Sequence, residues 1–156
     1  NLTLNQEIAV AIFGCNEYND IDNIKNKGES SGMKKLSVKK DVSCMACLEC
    51  VRACSVAFYK TFDPDKSAIR IVAGKNGEAK PMTCIQCGKC AKVCEAGAIT
   101  GVYMINKKLC TNCGKCVEVC PMKVMVANED AATSKCIACG ICAKACPMEL
   151  LEIVEK

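Results

Sequence analysis

The chain has 156 residues, and sixteen of its seventeen cysteines fall into four copies of one spacing, Cys-x2-Cys-x2-Cys-x3-Cys. The runs are Cys44, Cys47, Cys50 and Cys54; Cys84, Cys87, Cys90 and Cys94; Cys110, Cys113, Cys116 and Cys120; and Cys136, Cys139, Cys142 and Cys146. Only Cys15 stands outside them. Two intervening residues let three sulfurs converge on one face of a tight loop. The fourth follows about one helical turn on and faces away from the first three, so each run asks for a partner run. Zinc sites normally come as two pairs of ligands separated by a longer loop and give no reason for the repeated fourth position. A disulfide framework needs a secreted context, and no secretory leader is visible. Soft thiolates in this pattern suit iron–sulfur chemistry, and sixteen of them meet the full demand of four [4Fe–4S] cubes.

The elements around the runs must hold these sulfurs. Gly88, Gly114 and Gly140 follow the second cysteine by one residue in runs two, three and four, where glycine permits a close backbone approach or a positive φ. Run one has Leu48 there, and Pro121 and Pro147 follow the last cysteine only in runs three and four. Runs two, three and four begin 26 residues apart, at 84, 110 and 136. This reads as a repeated unit of cluster loop, short helix through the last cysteine and brief strand. The strands are expected near Ile99–Ile105, Lys123–Ala127 and Leu150–Val154, with a leading strand at Leu36–Lys39. Between runs one and two, Ala68–Ala73 and the turn dipeptide Asn76-Gly77 predict a β-hairpin. Phe58, Tyr59 and Phe62 are half of the aromatic residues; they are expected to shield a cluster, with a docking surface as the alternative. Met82, Met122 and Met148 read as packing residues beside the loops, not as iron ligands.

Composition agrees. With no Trp, no His and six aromatics in all, a large aromatic core is excluded, and bound clusters must contribute to folding. No apolar run approaches the length of a membrane span, so direct membrane insertion is not expected. The formal charge is +4. Each all-thiolate cube adds about −2, which brings the loaded protein to about −4 and makes the lysines compensating and steering groups. No interleaving of aromatic and basic residues suggests nucleic-acid binding. Residues 1–32 carry no run: an apolar stretch at Glu7–Phe13 precedes the polar, linker-like Asn16–Gly32, and together they read as an N-terminal extension. Cys15, within it, reads as a small hydrophobe or a free thiol.

From about residue 33 to 156 the chain resembles the four-cluster, ferredoxin-like iron–sulfur subunits of anaerobic oxidoreductases, and each run resembles the ligand run of bacterial ferredoxins. The opening Met33–Phe62, with Cys-Met-Ala-Cys-Leu-Glu-Cys and Ala57-Phe58-Tyr59, is most similar to small subunits beside tungsten aldehyde oxidoreductases. The resemblance implies an α+β fold of two pseudo-symmetric bacterial-ferredoxin-like units, with short strands and helices around paired clusters. It also implies that runs one and four pair, and runs two and three. Cys44, Cys47, Cys50 and Cys146 would hold one cube, and Cys136, Cys139, Cys142 and Cys54 its neighbour. Cys84, Cys87, Cys90 and Cys120 would hold the third, and Cys110, Cys113, Cys116 and Cys94 the fourth. The sequence itself also permits run one with two and run three with four. A leading strand at Leu36 and a closing strand at Leu150 favour the nested scheme, since each could seal the sheet of one cluster pair.

The function implied is a non-catalytic electron-transfer subunit. It would relay electrons between a catalytic oxidoreductase subunit (a tungsten or molybdenum enzyme, or a hydrogenase) and a second carrier or flavin subunit. Two alternatives stand beside it: a freely diffusing ferredoxin-type carrier, and a scaffold that self-assembles so that successive copies form a longer path. No twin-arginine leader is visible, and an oxygen-free cytoplasm is the expected compartment.

Overall fold

A strand near each end of the cluster region begins the architecture. The computed structural model describes residues 33–100, 104–129 and 132–155, all within the unit Gly32–Lys156. The N-terminal extension and Cys15 lie outside the described residues. Strand β1 (Lys34–Val38) pairs antiparallel with β6 (Leu151–Glu155), in a register that sets Leu36 opposite Ile153 and Val38 opposite Leu151. Leu36, at the middle of β1, is buried in the core, while Lys34 at its exposed end reaches Glu155 at 3.3 Å. The leading and closing strands therefore seal one sheet together, where the sequence allowed each to close a separate one.

Helix α1 (Glu49–Tyr59) carries run one into the core, burying Cys50, Val51, Cys54 and Ser55 along one side. It ends where Lys60 turns left-handed and its N–H donates to the Val56 carbonyl at 2.9 Å, a common way for a helix to stop. The Ser55 hydroxyl is fully buried; it donates to the Arg52 carbonyl and accepts from the Asp63 N–H at 3.2 Å, which fixes the exit of the chain. A single 3-10 turn (Pro64–Lys66) follows, with Asp63 accepting from the Asp65 N–H as its cap. The predicted hairpin then forms, β2 (Arg70–Ala73) against β3 (Ala79–Met82). The five-residue connection between them turns at Gly77, φ 83°, a conformation that glycine adopts without penalty.

The remaining elements are short. Helix α2 (Lys89–Lys92) holds Cys90, α3 (Lys115–Glu118) holds Cys116 and α4 (Ile141–Ala145) holds Cys142. Each ends before the last cysteine of its run, so a helix passes through the fourth cysteine only in run one. The segment expected as one strand near Ile99–Ile105 is instead a small hairpin of β4 (Ile99–Thr100) and β5 (Met104–Ile105). The segment Lys123–Ala127 makes one bridge, Val126 with Ser134, through two N–H···O bonds of 2.8 and 2.9 Å. Val124, Met125 and Val126 are buried all the same. They act as core filler without a long partner strand.

The architecture is α+β, and its core has two parts. One gathers Leu36, Val51, Ile69, Val126 and Leu151 around Cys50, Cys54 and Cys142, with α1 packed on α4. The other gathers Ile99 and Met125 around Cys90 and Cys116, with α2 packed on α3. Among the described residues, no helix is long and apolar enough to cross a membrane.

Candidate metal centre

Each cysteine loop folds in the same local way. The residue between the first and second cysteines that lies two after the first is left-handed in all four runs: Ala46 (φ 56°), Gln86 (55°), Asn112 (55°) and Ala138 (56°). So is the residue after the second cysteine: Leu48 (61°), Gly88 (75°), Gly114 (77°) and Gly140 (82°). A Cβ added at Gly88 or Gly114 would meet no protein atom within 4 Å. It is the positive φ that calls for glycine there, not lack of room. Leu48 and the four non-glycine residues each hold this conformation at a cost of roughly 1–2 kcal/mol. Four loops carrying the same strain in register share a shape that bends backbone N–H groups toward sulfur, as the Ala138 N–H does to Cys136 Sγ at 3.4 Å. Sequence reading missed the first of these positions, because Ala, Gln, Asn and Ala carry no common signal.

Packing then sorts the thiols. Cys44, Cys47, Cys50 and Cys146 line one cavity, with Leu48, Ile71, Pro81 and Leu151 among its apolar walls. Cys54, Cys136, Cys139 and Cys142 line another, together with Phe58, Tyr59, Ile69 and Lys135. In the second half, Cys94 and Cys120 pack against the core that holds Cys90 and Cys116. Cys47, Cys87 and Cys113 are exposed at loop tips. Of the aromatic trio, Phe58 and Tyr59 line a thiol cavity, whereas Phe62 is half exposed and shields neither cavity.

Electrostatics report the same neighbourhoods. Desolvation pushes Cys50 up to about 11, with repulsion from Cys146, Cys44 and Cys47 adding to it against the Val51 N–H. Burial likewise pushes Cys136 up to about 12, with Cys84, Cys139 and Cys54 contributing. Cys142 is raised further by burial and then by Cys136, Cys54, Cys139 and Cys50. Burial raises Cys84, where Cys120 and Cys90 add repulsion and the Lys135 charge opposes it. Cys116 is raised by burial, with smaller repulsion from Cys110 and Cys90. For Cys110 desolvation is outweighed by the Asn112 and Thr133 N–H groups and the Thr133 hydroxyl, which together lower it. Repulsion between thiols also links neighbouring groups. Cys50 acts on Cys142, Cys84 on Cys136, and Cys90 on Cys116.

By the chemistry of the donor set, soft thiolates gathered around apolar cavities, these residues suit an iron–sulfur centre. A tetrahedral zinc, with Zn–S near about 2.3 Å, would draw four sulfurs to within about 4 Å of one another. Among the described residues, no three Cys, Asp or Glu side chains converge closely enough to hold one metal ion. The sulfurs surround apolar volumes instead, with loop N–H groups available to them.

Two family models match parts of the chain. Residues 80–100 match the model of a 4Fe-4S binding domain, and residues 102–147 that of a 4Fe-4S dicluster domain. The chain is an iron–sulfur electron-transfer protein. No curated protein matches it. The two matches take in runs two, three and four of this iron–sulfur protein and leave run one outside. The dicluster match spans runs three and four, which are consecutive in sequence. In space, helix α3 of run three packs on α2 of run two, and α4 of run four packs on α1 of run one.

Proposed function

We propose that the protein holds four [4Fe–4S] clusters on its sixteen run cysteines and works as a wire subunit. It would carry electrons between a catalytic oxidoreductase subunit, of the tungsten, molybdenum or hydrogenase kind, and a second redox partner. Runs one and four would serve one pair of clusters, and runs two and three the other, in two related ferredoxin-like halves. The ligand sets are Cys44, Cys47, Cys50 with Cys146; Cys136, Cys139, Cys142 with Cys54; Cys84, Cys87, Cys90 with Cys120; and Cys110, Cys113, Cys116 with Cys94.

The observation that carries the reading is the unbroken order of thiol groups. The Cys50 group neighbours the Cys142 group, which neighbours the Cys84 group through Cys136, which neighbours the Cys116 group through Cys90. Exposed sulfurs stand at both ends of that series, at Cys47 and Cys113, and at one inner group, at Cys87. A series with two open ends suits a path between two partners better than a carrier that accepts and returns an electron at one face. When bound, the clusters supply one-electron carriers of low potential. The chain fixes their spacing, excludes water with Leu36, Val51, Ile69 and Leu151, and donates N–H groups to sulfur. It breaks no bond of an organic substrate.

Anaerobic isolation from the native source at mild salt tests this, with particle mass and metals measured together. A complex that also contains tungsten, molybdenum or nickel is expected. A lone particle near 17 kDa holding iron and sulfide would favour the diffusing carrier, and an open-ended homopolymer the self-assembling scaffold.

A further inference from the structure

One buried amide joins loops that belong to different halves. Gln86 lies between the first and second cysteines of run two, two residues after Cys84, and is 6% exposed. Its Nε2 donates at 3.0 Å to the carbonyl of Cys136, the first cysteine of run four. Its Oε1 accepts from the buried Lys135 ammonium at 2.9 Å. Both ends of the side chain are therefore held by residues at the start of the run-four loop. A buried amide is costly to leave unpaired, so a side chain bonded at both ends has little freedom to shift.

The matching positions show that this reach is particular to run two. Ala46 and Ala138 stand there in runs one and four and offer only a methyl group. Asn112 stands there in run three and is exposed. Its Nδ2 donates to the carbonyls of Asn128 at 2.5 Å and Glu129 at 3.3 Å, a short way beyond its own run. All four residues are left-handed, so the bend of the loop needs neither the length nor the amide of glutamine. What glutamine adds is a bond to a cysteine residue of the other half. From Cys84 to Cys136 the connection is a short stretch of backbone, one side chain and one hydrogen bond.

We infer that Gln86 is a positioning residue that sets the distance between the two inner clusters, and with it the passage of electrons between the halves. These are the clusters on Cys84, Cys87, Cys90 and Cys120 and on Cys136, Cys139, Cys142 and Cys54; the inference rests on the four-cluster reading above. Each loop presents three of the four sulfurs of its cluster, so tying Gln86 to Cys136 ties one cluster to the next. Electron transfer and magnetic coupling between two clusters both weaken steeply with distance. The separation at this junction is therefore a property that the chain must hold fixed.

The test is electron paramagnetic resonance of the loaded protein fully reduced with dithionite, with iron and sulfide measured on each sample. Neighbouring reduced clusters are paramagnetic and broaden one another's signals. Gln86→Met keeps the length of the side chain and removes both hydrogen bonds. Gln86→Asn keeps the amide and suits the left-handed bend, but is one methylene too short for the bridge. With iron content at the wild-type level, both are expected to lose part of the coupling seen in the wild type. Tyr59→Phe, which removes a hydrogen bond inside one half, is expected to keep all of it. Wild-type coupling in fully loaded Gln86→Met would overturn the inference. So would wild-type coupling in Gln86→Asn, since that would trace the effect to the bend of the loop. An equal loss in Tyr59→Phe would also overturn it, by tracing the effect to general loosening. If Gln86→Met fails to load, Gln86→Asn is read in its place by the same criterion. Wild-type protein that holds no iron and sulfide would instead sink the four-cluster reading itself.

Discussion

The Tyr59 hydroxyl donates to Ser134 Oγ at 2.8 Å, tying the last turn of α1 to the segment that leads into run four. The two residues are 75 positions apart, yet both line the same thiol cavity. Tyr59→Phe keeps the ring in place and removes only the hydroxyl. It is expected to lower the stability of the loaded protein by about 1 kcal/mol, with iron content unchanged. Denaturant unfolding under anaerobic conditions checks it, through a lower midpoint at constant slope.

The sorting of thiols makes double substitutions diagnostic. Cys54 and Cys142 share a cavity, whereas Cys50 lines the other with Cys146. Cys54→Ala with Cys142→Ala is therefore expected to lose one cluster, about four irons per chain, as each single variant does. Cys54→Ala with Cys50→Ala is expected to lose two. Loss of two clusters from the Cys54→Ala, Cys142→Ala variant would instead favour pairing of consecutive runs.

Stripping iron should expose a pH dependence. Burial raises Cys50 to about 11 and Cys136 to about 12, from an ordinary value of 9.0. In the iron-free fold these thiols favour the neutral form, so their contribution to stability is intact below pH about 9 and is lost as pH climbs toward 11 and 12. Chelator-stripped protein is expected to lose residual structure across that window by circular dichroism. Loaded protein, its sulfurs already held as thiolates by iron, is expected to change far less.

Thr133 is buried, with its Oγ1 3.5 Å from Cys116 Sγ and 4.0 Å from Cys110 Sγ. Once the sulfurs are thiolates, the hydroxyl is the donor. Thr133→Val removes the donor at nearly constant volume. One midpoint is expected to fall, because a hydrogen bond to sulfur favours the more negative state. Iron content is expected to hold. A redox titration with all midpoints unchanged would show that the contact has no bearing on potential.

The cofactor was legible at the level of residue type, because ligand chemistry is local. Three soft donors within seven residues, repeated four times, leave little else for Cys44–Cys54 or Cys136–Cys146 to do. The left-handed glycines at 88, 114 and 140 and the hairpin around Gly77 were legible for the same reason: positive φ is a property of one residue and its neighbours. What the repeat concealed was its own departures. A period of 26 suggested equal units, but α1 runs eleven residues while the helices of the other runs have four or five. The difference lies in what each helix buries: α1 turns Cys50, Val51, Cys54 and Ser55 inward, whereas each shorter helix buries only the third cysteine of its run.

By itself, then, the sequence determined which atoms could bind iron and, at the three glycines, one of the two left-handed turns by which each loop bends. Tertiary structure decided which loops meet. The choice between consecutive and nested runs depends on α1 packing against α4 and β1 pairing with β6, contacts between segments about a hundred residues apart that no local spacing encodes. The buried Lys135–Gln86 pair belongs to the same class. In sequence Lys135 is one lysine among many; only the fold buries it and brings Gln86 Oε1 within 2.9 Å of its ammonium.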